Sequence, residues 1–312
     1  MKKIITITAL CIAFLLHCGQ IFLYAQSCEL EIFHTNDVHG RLLPFELGIS
    51  DYSKEIGGIA RRKTLINKLK EKSKNAKFLT LDAGDIAQGT IFFNLYSGIP
   101  DVQFLNKLEY DAATIGNHEF DKGEEVISKM IEVAEFPFLA ANLKFKKTSP
   151  LYDKVKPYVI KDLGCCKVGI IGLITPEIKI ISNIGSDTEV LDYIKTTNKY
   201  IKEIDKNTDV IIVLSHLGYK DDIHLAKNIS GVDIIVGGHS HSVLRKPSIV
   251  NDIDNKPVIV LQAGEMGKML GDLKVQIEDD EVSLSSYKMY TIDSKIKEDE
   301  EINNDLKSFN NK

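Results

Sequence analysis

A series of short apolar runs recurs along this chain, and most of them end in aspartate, asparagine or histidine, often beside glycine. Residues 30–33 lead into His34-Thr35-Asn36-Asp37, and residues 78–81 into Asp82-Ala83-Gly84-Asp85. Residues 111–115 lead into Gly116-Asn117-His118-Glu119, and 138–141 into Asn142. Residues 168–173 precede Thr175-Pro176, and 210–214 precede Ser215-His216. Residues 234–236 precede Gly237-Gly238-His239-Ser240-His241, and 258–261 precede Gln262-Ala263-Gly264. Unbroken Val/Ile/Leu runs separated by amphipathic stretches predict strands covered on both faces, hence an α/β fold. In such sheets ligand chemistry lies just past the carboxyl ends of the strands.

The linking segments fit this scheme. Ile59, Leu65, Ile66 and Leu69 form the apolar stripe of a helix over 59–72. From Met269 the pattern alternates. Residues 270–277 and 282–291, with Glu278-Asp279-Asp280-Glu281 between them, predict a hairpin. Residues 293–312 are charged. Ile296, Ile302, Leu306 and Phe309 give a weak helical spacing there, and a frayed tail is the competing expectation.

The N-terminus reads as a signal peptide over 1–25. Lys2 and Lys3 precede a long apolar run, and Leu23-Tyr24-Ala25 offers a small residue for cleavage, so the mature chain is expected to start near Gln26. An uncleaved anchor is the alternative, weakened by His17 and Gln20. Lipid attachment at Cys18 or Cys28 is the lesser one. A periplasmic or secreted protein without stable membrane insertion is therefore expected. Cleavage removes two positive charges and no negative ones, taking the formal charge from −5 to −7. Such a chain is not built to grip a nucleic-acid polymer through a basic surface. If it handles anionic phosphates, bound metal ions are the natural source of local positive charge. Cys28, Cys165 and Cys166 remain after cleavage. Three cysteines do not make a disulfide framework, and the adjacent pair is expected to serve as core residues.

Two divalent ions held close together need a bridging carboxylate, and mixed oxygen and imidazole donors suit Zn, Mn, Fe or Co rather than Ca. Asp37-Val38-His39 follows a strand-like run, although such a pair alone is more often a solvated turn. Gly84-Asp85 is equally weak alone. Gly116-Asn117-His118-Glu119 is more specific, because the glycine permits a tight turn that projects Asn and His. His216, taken singly, also fits a capped core histidine. Gly237-Gly238-His239-Ser240-His241 is strong: two histidines two apart reach one side of an extended segment, and the glycines clear space.

Taken together, these stretches resemble the calcineurin-like metallophosphoesterases, within them the 5′-nucleotidase/UDP-sugar hydrolase/cyclic phosphodiesterase family. The resemblance rests on His34-Thr35-Asn36-Asp37-Val38-His39-Gly40-Arg41, Leu81-Asp82-Ala83-Gly84-Asp85, Gly116-Asn117-His118-Glu119-Phe120-Asp121, Ala141-Asn142-Leu143, Ser215-His216-Leu217-Gly218 and Gly237-Gly238-His239-Ser240-His241. It covers about residues 29–275 in the family's order. It implies a four-layer α/β/β/α sandwich of two mixed sheets flanked by helices, with a catalytic domain over 26–292. It implies two divalent cations: Asp37, His39 and His241 at the first, Asn117, His216 and His239 at the second, and Asp85 between them. A well-known nucleotide-cleaving member often has Gln where His241 stands, and His is a sound ligand there. The resemblance places His118 against the scissile phosphate, with Asp121 one helical turn on to fix its tautomer. Asn117 and Arg41 are further substrate-contact candidates, Arg41 with an ordinary surface role as the alternative. The implied reaction is hydrolysis of phosphate esters, above all 5′-nucleotides, by metal-activated water.

In the relatives a second domain holds the nucleoside. Here 35 residues follow Ile277, below the usual domain minimum of about 50. The expectation is a separate polypeptide supplying that half, or a looser range of phosphoesters. Cyclic nucleotides, nucleotide sugars and sulfur esters are alternative substrates on the same fold. A non-catalytic nucleotide-binding module is a further alternative, disfavoured by the full set of donors.

Overall fold

The computed structural model describes residues 27–46 and 55–310. The signal-peptide reading over 1–25 lies outside the described residues. Two six-stranded mixed sheets carry the fold. In the first, β1 (Cys28–Thr35), β2 (Lys77–Asp82), β3 (Ala112–Thr114) and β4 (Phe138–Leu139) run parallel. β5 (Tyr158–Asp162) and β6 (Lys167–Ile174) open the second sheet, joined antiparallel. There β6, β7 (Val210–His216), β8 (Ile234–Gly237) and β10 (Pro257–Gln262) run parallel, and β9 (Ser248–Asn251) closes the edge antiparallel to β10. The chain then returns to the first sheet. β11 (Met269–Glu278) lies antiparallel to β1, and β12 (Glu281–Thr291) pairs with β11 as the expected hairpin.

Side-chain alternation explains the layering. Along β7, Val210, Ile212 and Leu214 face the first sheet and pack with Leu30, Ile32, Leu79 and Leu81. Ile211 and Val213 face the other way, onto helices α6 (Tyr193–Ile204) and α7 (Tyr219–Asn228). With both faces covered, every residue of β7 is buried, hence its unbroken apolar run. The first sheet turns its outer face to α1 (Ile59–Lys72), α2 (Ile91–Tyr96), α3 (Ile99–Lys107) and α4 (Glu124–Val133). α1 buries Ile59, Leu65, Ile66 and Leu69, and Lys70 and Lys72 suit its C-terminal dipole. α6 starts at Asp192, whose side chain accepts from the Lys195 amide and satisfies a free N–H of the first turn. α5 (Ile178–Ile181) is a single turn after Thr175-Pro176. The result is the four-layer α/β/β/α sandwich.

Two expectations are corrected. Cys28 and Cys165 form a disulfide across 137 residues, joining the start of β1 to the β5–β6 turn and so one sheet to the other. Cys166 alone stays a buried thiol, within the intersheet core. The C-terminal stretch is not frayed either: α8 (Glu300–Asn310) buries Ile302 and Leu306, and Phe309 packs against Phe92, Tyr96 and Phe104.

Candidate metal centre

Strand tips from both sheets converge at one edge of the sandwich. Asp37 and His39 follow β1, Asp85 follows β2, Asn117 follows β3, His216 ends β7, and His239 and His241 follow β8. The loops are laced to one another. Asp37 N donates to Gly84 O (2.9 Å), His39 N to Asp85 O (3.0 Å) and Gly40 N to Ile86 O (2.8 Å), so the β1–β2 pairing continues past the strands. Asp37, His39, Asp85, His239 and His241 all have left-handed backbone, with φ between 51° and 72°. Such residues cost on the order of 1–3 kcal/mol each and persist only where the surroundings over-determine them. The segment carrying His239 and His241 is therefore not extended, and its two imidazoles part into separate groups.

The first group is Asp37, His39 and His241. His241 Nε2 lies 3.3 Å from Asp37 Oδ1 and 3.1 Å from His39 Nε2. The second is Asp85, His216 and His239, whose donor atoms all lie within 4.8 Å of one another. His216 Nε2 is 3.1 Å from Asp85 Oδ2 and 3.3 Å from Asn117 Oδ1. The groups adjoin, since His216 Nε2 is 4.0 Å from Asp37 Oδ1. The Asp85 charge is felt by His39 and His241 on one side and by His216 and His239 on the other. Two glycines make the approach possible. A Cβ at Gly116 would lie 2.2 Å from Asp85 Oδ1, and one at Gly238 would lie 2.8 Å from His216 Nδ1.

The profile of the calcineurin-like phosphoesterases matches residues 30–243. The chain belongs to that family. It is 36% identical over 305 residues to the snake venom 5′-nucleotidase of Crotalus adamanteus, covering 91% of this chain and 52% of that protein. It is 31% identical over 319 residues to the trifunctional nucleotide phosphoesterase protein YfkN of Bacillus subtilis, covering 91% of this chain and 21% of that one. The solved 5′-nucleotidase precursor of Thermus thermophilus superposes with a TM-score of 0.85 at 35% identity, covering 90% of this chain and 58% of that one. This calcineurin-like phosphoesterase thus spans about half the length of the 5′-nucleotidase relatives. Among the described residues no helix is long and apolar enough to cross a membrane.

The donors of this phosphoesterase fit divalent cations. Asp37 and Asp85 place carboxylates in a buried space beside Asn117, which calls for a cationic partner. Burial pushes the His216 imidazole down, but Asp85, Asp37 and the Ala83 carbonyl outweigh it and hold it well above the ordinary histidine range. Burial likewise pushes Asp85 up, and His216 overrides it, leaving that carboxyl below the usual range. A protonated imidazole thus supplies the positive charge that a cation would take over, leaving neutral histidine as ligand. Burial also lowers His39 and His239, favouring the neutral form that binds metal. His39 Nδ1 is buried and has no hydrogen-bond partner. Mixed carboxylate, amide and imidazole donors are a borderline set suited to Zn, Mn, Fe or Co.

The remaining expected residues part company. His118 Nδ1 lies 3.0 Å from Asp121 Oδ2 within a short 3₁₀ turn, and the imidazole packs edge-on to His39 at 5.4 Å between centroids. The His118 amide donates to Asp85 Oδ1 (2.8 Å). Arg41, by contrast, lays its guanidinium over the Phe45 ring at 5.1 Å. A cleft of about 900 Å³ opens at the opposite end, lined by Cys165, Asp209 and Asp233, and none of the gathered donors lines it.

Sequence reasoning assigned no role to Glu119, Asn36, Glu265 or Glu177. The buried Glu119 carboxylate accepts from the amides of Gly116 (2.6 Å), Asp85 (3.0 Å), Ile86 (2.8 Å) and Ala87 (3.3 Å), tying the loops after β2 and β3. Asn36 Nδ2 donates to Asp37 Oδ2 and to Gly264 O, both at 2.6 Å. Glu265 Oε2 lies 3.1 Å from His241 Nδ1, and Glu177 Oε2 lies 3.5 Å from His239 Nε2. Glu119 stood inside a flagged motif. Asn36 also stood in one, beside its partner Asp37; Glu265 and Glu177 carry no local signal, because their partners come from distant strands.

Proposed function

We propose that this chain is a secreted hydrolase of nucleotide phosphate esters, with 5′-nucleotides as its first substrates, working at two divalent cations. The observation that carries the reading is the pair of adjoining donor groups on either side of Asp85. Asp37, His39 and His241 would hold one cation, Asn117, His216 and His239 the other, and Asp85 would serve both. When bound, such cations supply an activated water and charge stabilisation at the phosphoryl oxygens.

The chain's own groups do the rest. Asp121 accepts the Nδ1–H of His118, which fixes the tautomer and orientation of the ring. Nε2 is then the atom that faces the phosphoryl group, where it steadies developing charge or protonates the leaving oxygen. The His118 amide, bonded to Asp85, keeps that ring in register with the donors. Arg41 is assigned no substrate contact, since its guanidinium is engaged by Phe45. The names of the snake venom and Bacillus relatives support nucleotide substrates and a breadth beyond one ester type. The signal-peptide pattern of the first 25 residues supports export to the periplasm or medium.

A substrate panel tests the reading. Protein loaded with Mn, Co or Zn is assayed against AMP, a cyclic nucleotide and UDP-glucose, with metal content measured on the same samples. Phosphate release from AMP in the metal-loaded protein alone is expected. Full metal loading with no hydrolysis of any of the three would contradict it.

A further inference from the structure

The two donor groups differ in how their histidines are held. The His216 side chain is fully buried, and its Nδ1 is 2.6 Å from the Ala83 carbonyl, so the backbone fixes the ring with Nε2 toward the centre. The His241 side chain is 41% exposed, and its own backbone, in a loop, is left-handed. Among the described residues no backbone carbonyl is bonded to its ring. Its Nε2 faces Asp37 and His39, and its outward Nδ1 meets Glu265 Oε2 at 3.1 Å. Glu265 is itself fixed by Lys268 Nζ, 2.8 Å from Oε1.

The segment bearing Glu265 is also part of the support for Asp37. Ala263 N donates to Asn36 Oδ1 (2.8 Å), Asn36 Nδ2 donates to Gly264 O (2.6 Å), and Met266 N donates to Asp37 O (2.6 Å). Thus the loop after β10 reaches the Asp37 group twice, once through backbone and once through a carboxylate.

We propose that Glu265 is the positioning residue of the outer cation site: it accepts the Nδ1–H of His241, turns Nε2 inward and thereby sets the affinity of the Asp37–His39–His241 group, with Lys268 holding the carboxylate in place. Carboxylates that orient a metal-bound imidazole raise its basicity and restrict its rotation, and their loss typically weakens binding 10–100-fold. The inner site has no such dependence on Glu265, because its His216 is fixed by the main chain and its His239 faces Glu177 instead. The inference rests on the metal-binding reading of the centre, not on the identity of the substrate.

Cobalt titration of the metal-free full chain, followed by d–d absorption and calorimetry without substrate, tests it. The wild type is expected to bind two ions. Glu265→Ala is expected to weaken one site about 10–100-fold and leave the other within about twofold. Glu265→Gln keeps the shape and an acceptor oxygen but loses the charge, and is expected to fall between Glu265→Ala and wild type. Lys268→Ala, which leaves Glu265 facing His241, is expected to weaken the same site less than Glu265→Ala does. Unchanged outer affinity in both Glu265 variants, or equal weakening at both sites, would overturn the role of Glu265. Failure of the wild type to bind two ions would instead overturn the two-cation reading beneath it.

Discussion

The two ends of the sandwich are built by opposite means. At the carboxyl ends of the parallel strands, five residues hold left-handed backbone and two carboxylates lie buried beside four imidazoles. These features destabilise a fold considered alone. At the other end Cys28–Cys165 joins one sheet to the other. The contrast separates two tasks. One end is organised around charge that a ligand must balance, and the other holds the layers together whether or not that ligand is present.

The division can be broken by substitution, and the largest effect is expected at Asp85. Asp85→Ala removes the carboxylate proposed to serve both cations, so metal content and phosphoester hydrolysis are expected to vanish together while circular dichroism keeps the folded signature. Retention of both ions by that variant would dissolve the distinction between the two ends.

His118→Ala comes next. Its imidazole packs against His39 but is not part of either donor group. Both ions are expected to stay, and kcat to fall roughly 10²–10⁴-fold. Metal loss equal to that of Asp85→Ala would move His118 from substrate handling to metal holding.

The smallest effect on catalysis is expected at the far end. Replacing Cys28 and Cys165 together by serine is expected to cost about 2–5 kcal/mol of stability in denaturant titration. Its kcat, measured well below the new transition, should stay within about twofold of wild type. A large fall in kcat with the metals still bound would show that the sheets are positioned by the disulfide as well as held by it.

Much of this was legible in the sequence, for reasons that also explain the gaps. The helix Ile59–Lys72 declares itself through spacing, since its burial repeats at the helical period, and the β11–β12 hairpin through the acidic turn between two apolar-polar runs. The strand tips were visible because each apolar run stops at a polar residue. What could not be read is the left-handed backbone at Asp37, His39, Asp85, His239 and His241. Local sequence disfavours it, and only the neighbouring loops impose it. Glu119 stood inside a recognised motif, yet three of the four amides that define its role lie more than thirty residues back. The disulfide escaped because its partners are 137 residues apart and one of them has a cysteine neighbour buried in the core. Glu265 is equally silent, for its meaning comes from His241 on another strand tip.

Anomalous diffraction from crystals grown with manganese bears most directly on the centre. Two peaks are expected, one against Asp37, His39 and His241 and the other against Asn117, His216 and His239, with an Asp85 oxygen in contact with each. A single peak, or a pair of ions that leaves Asp85 untouched, would contradict the account.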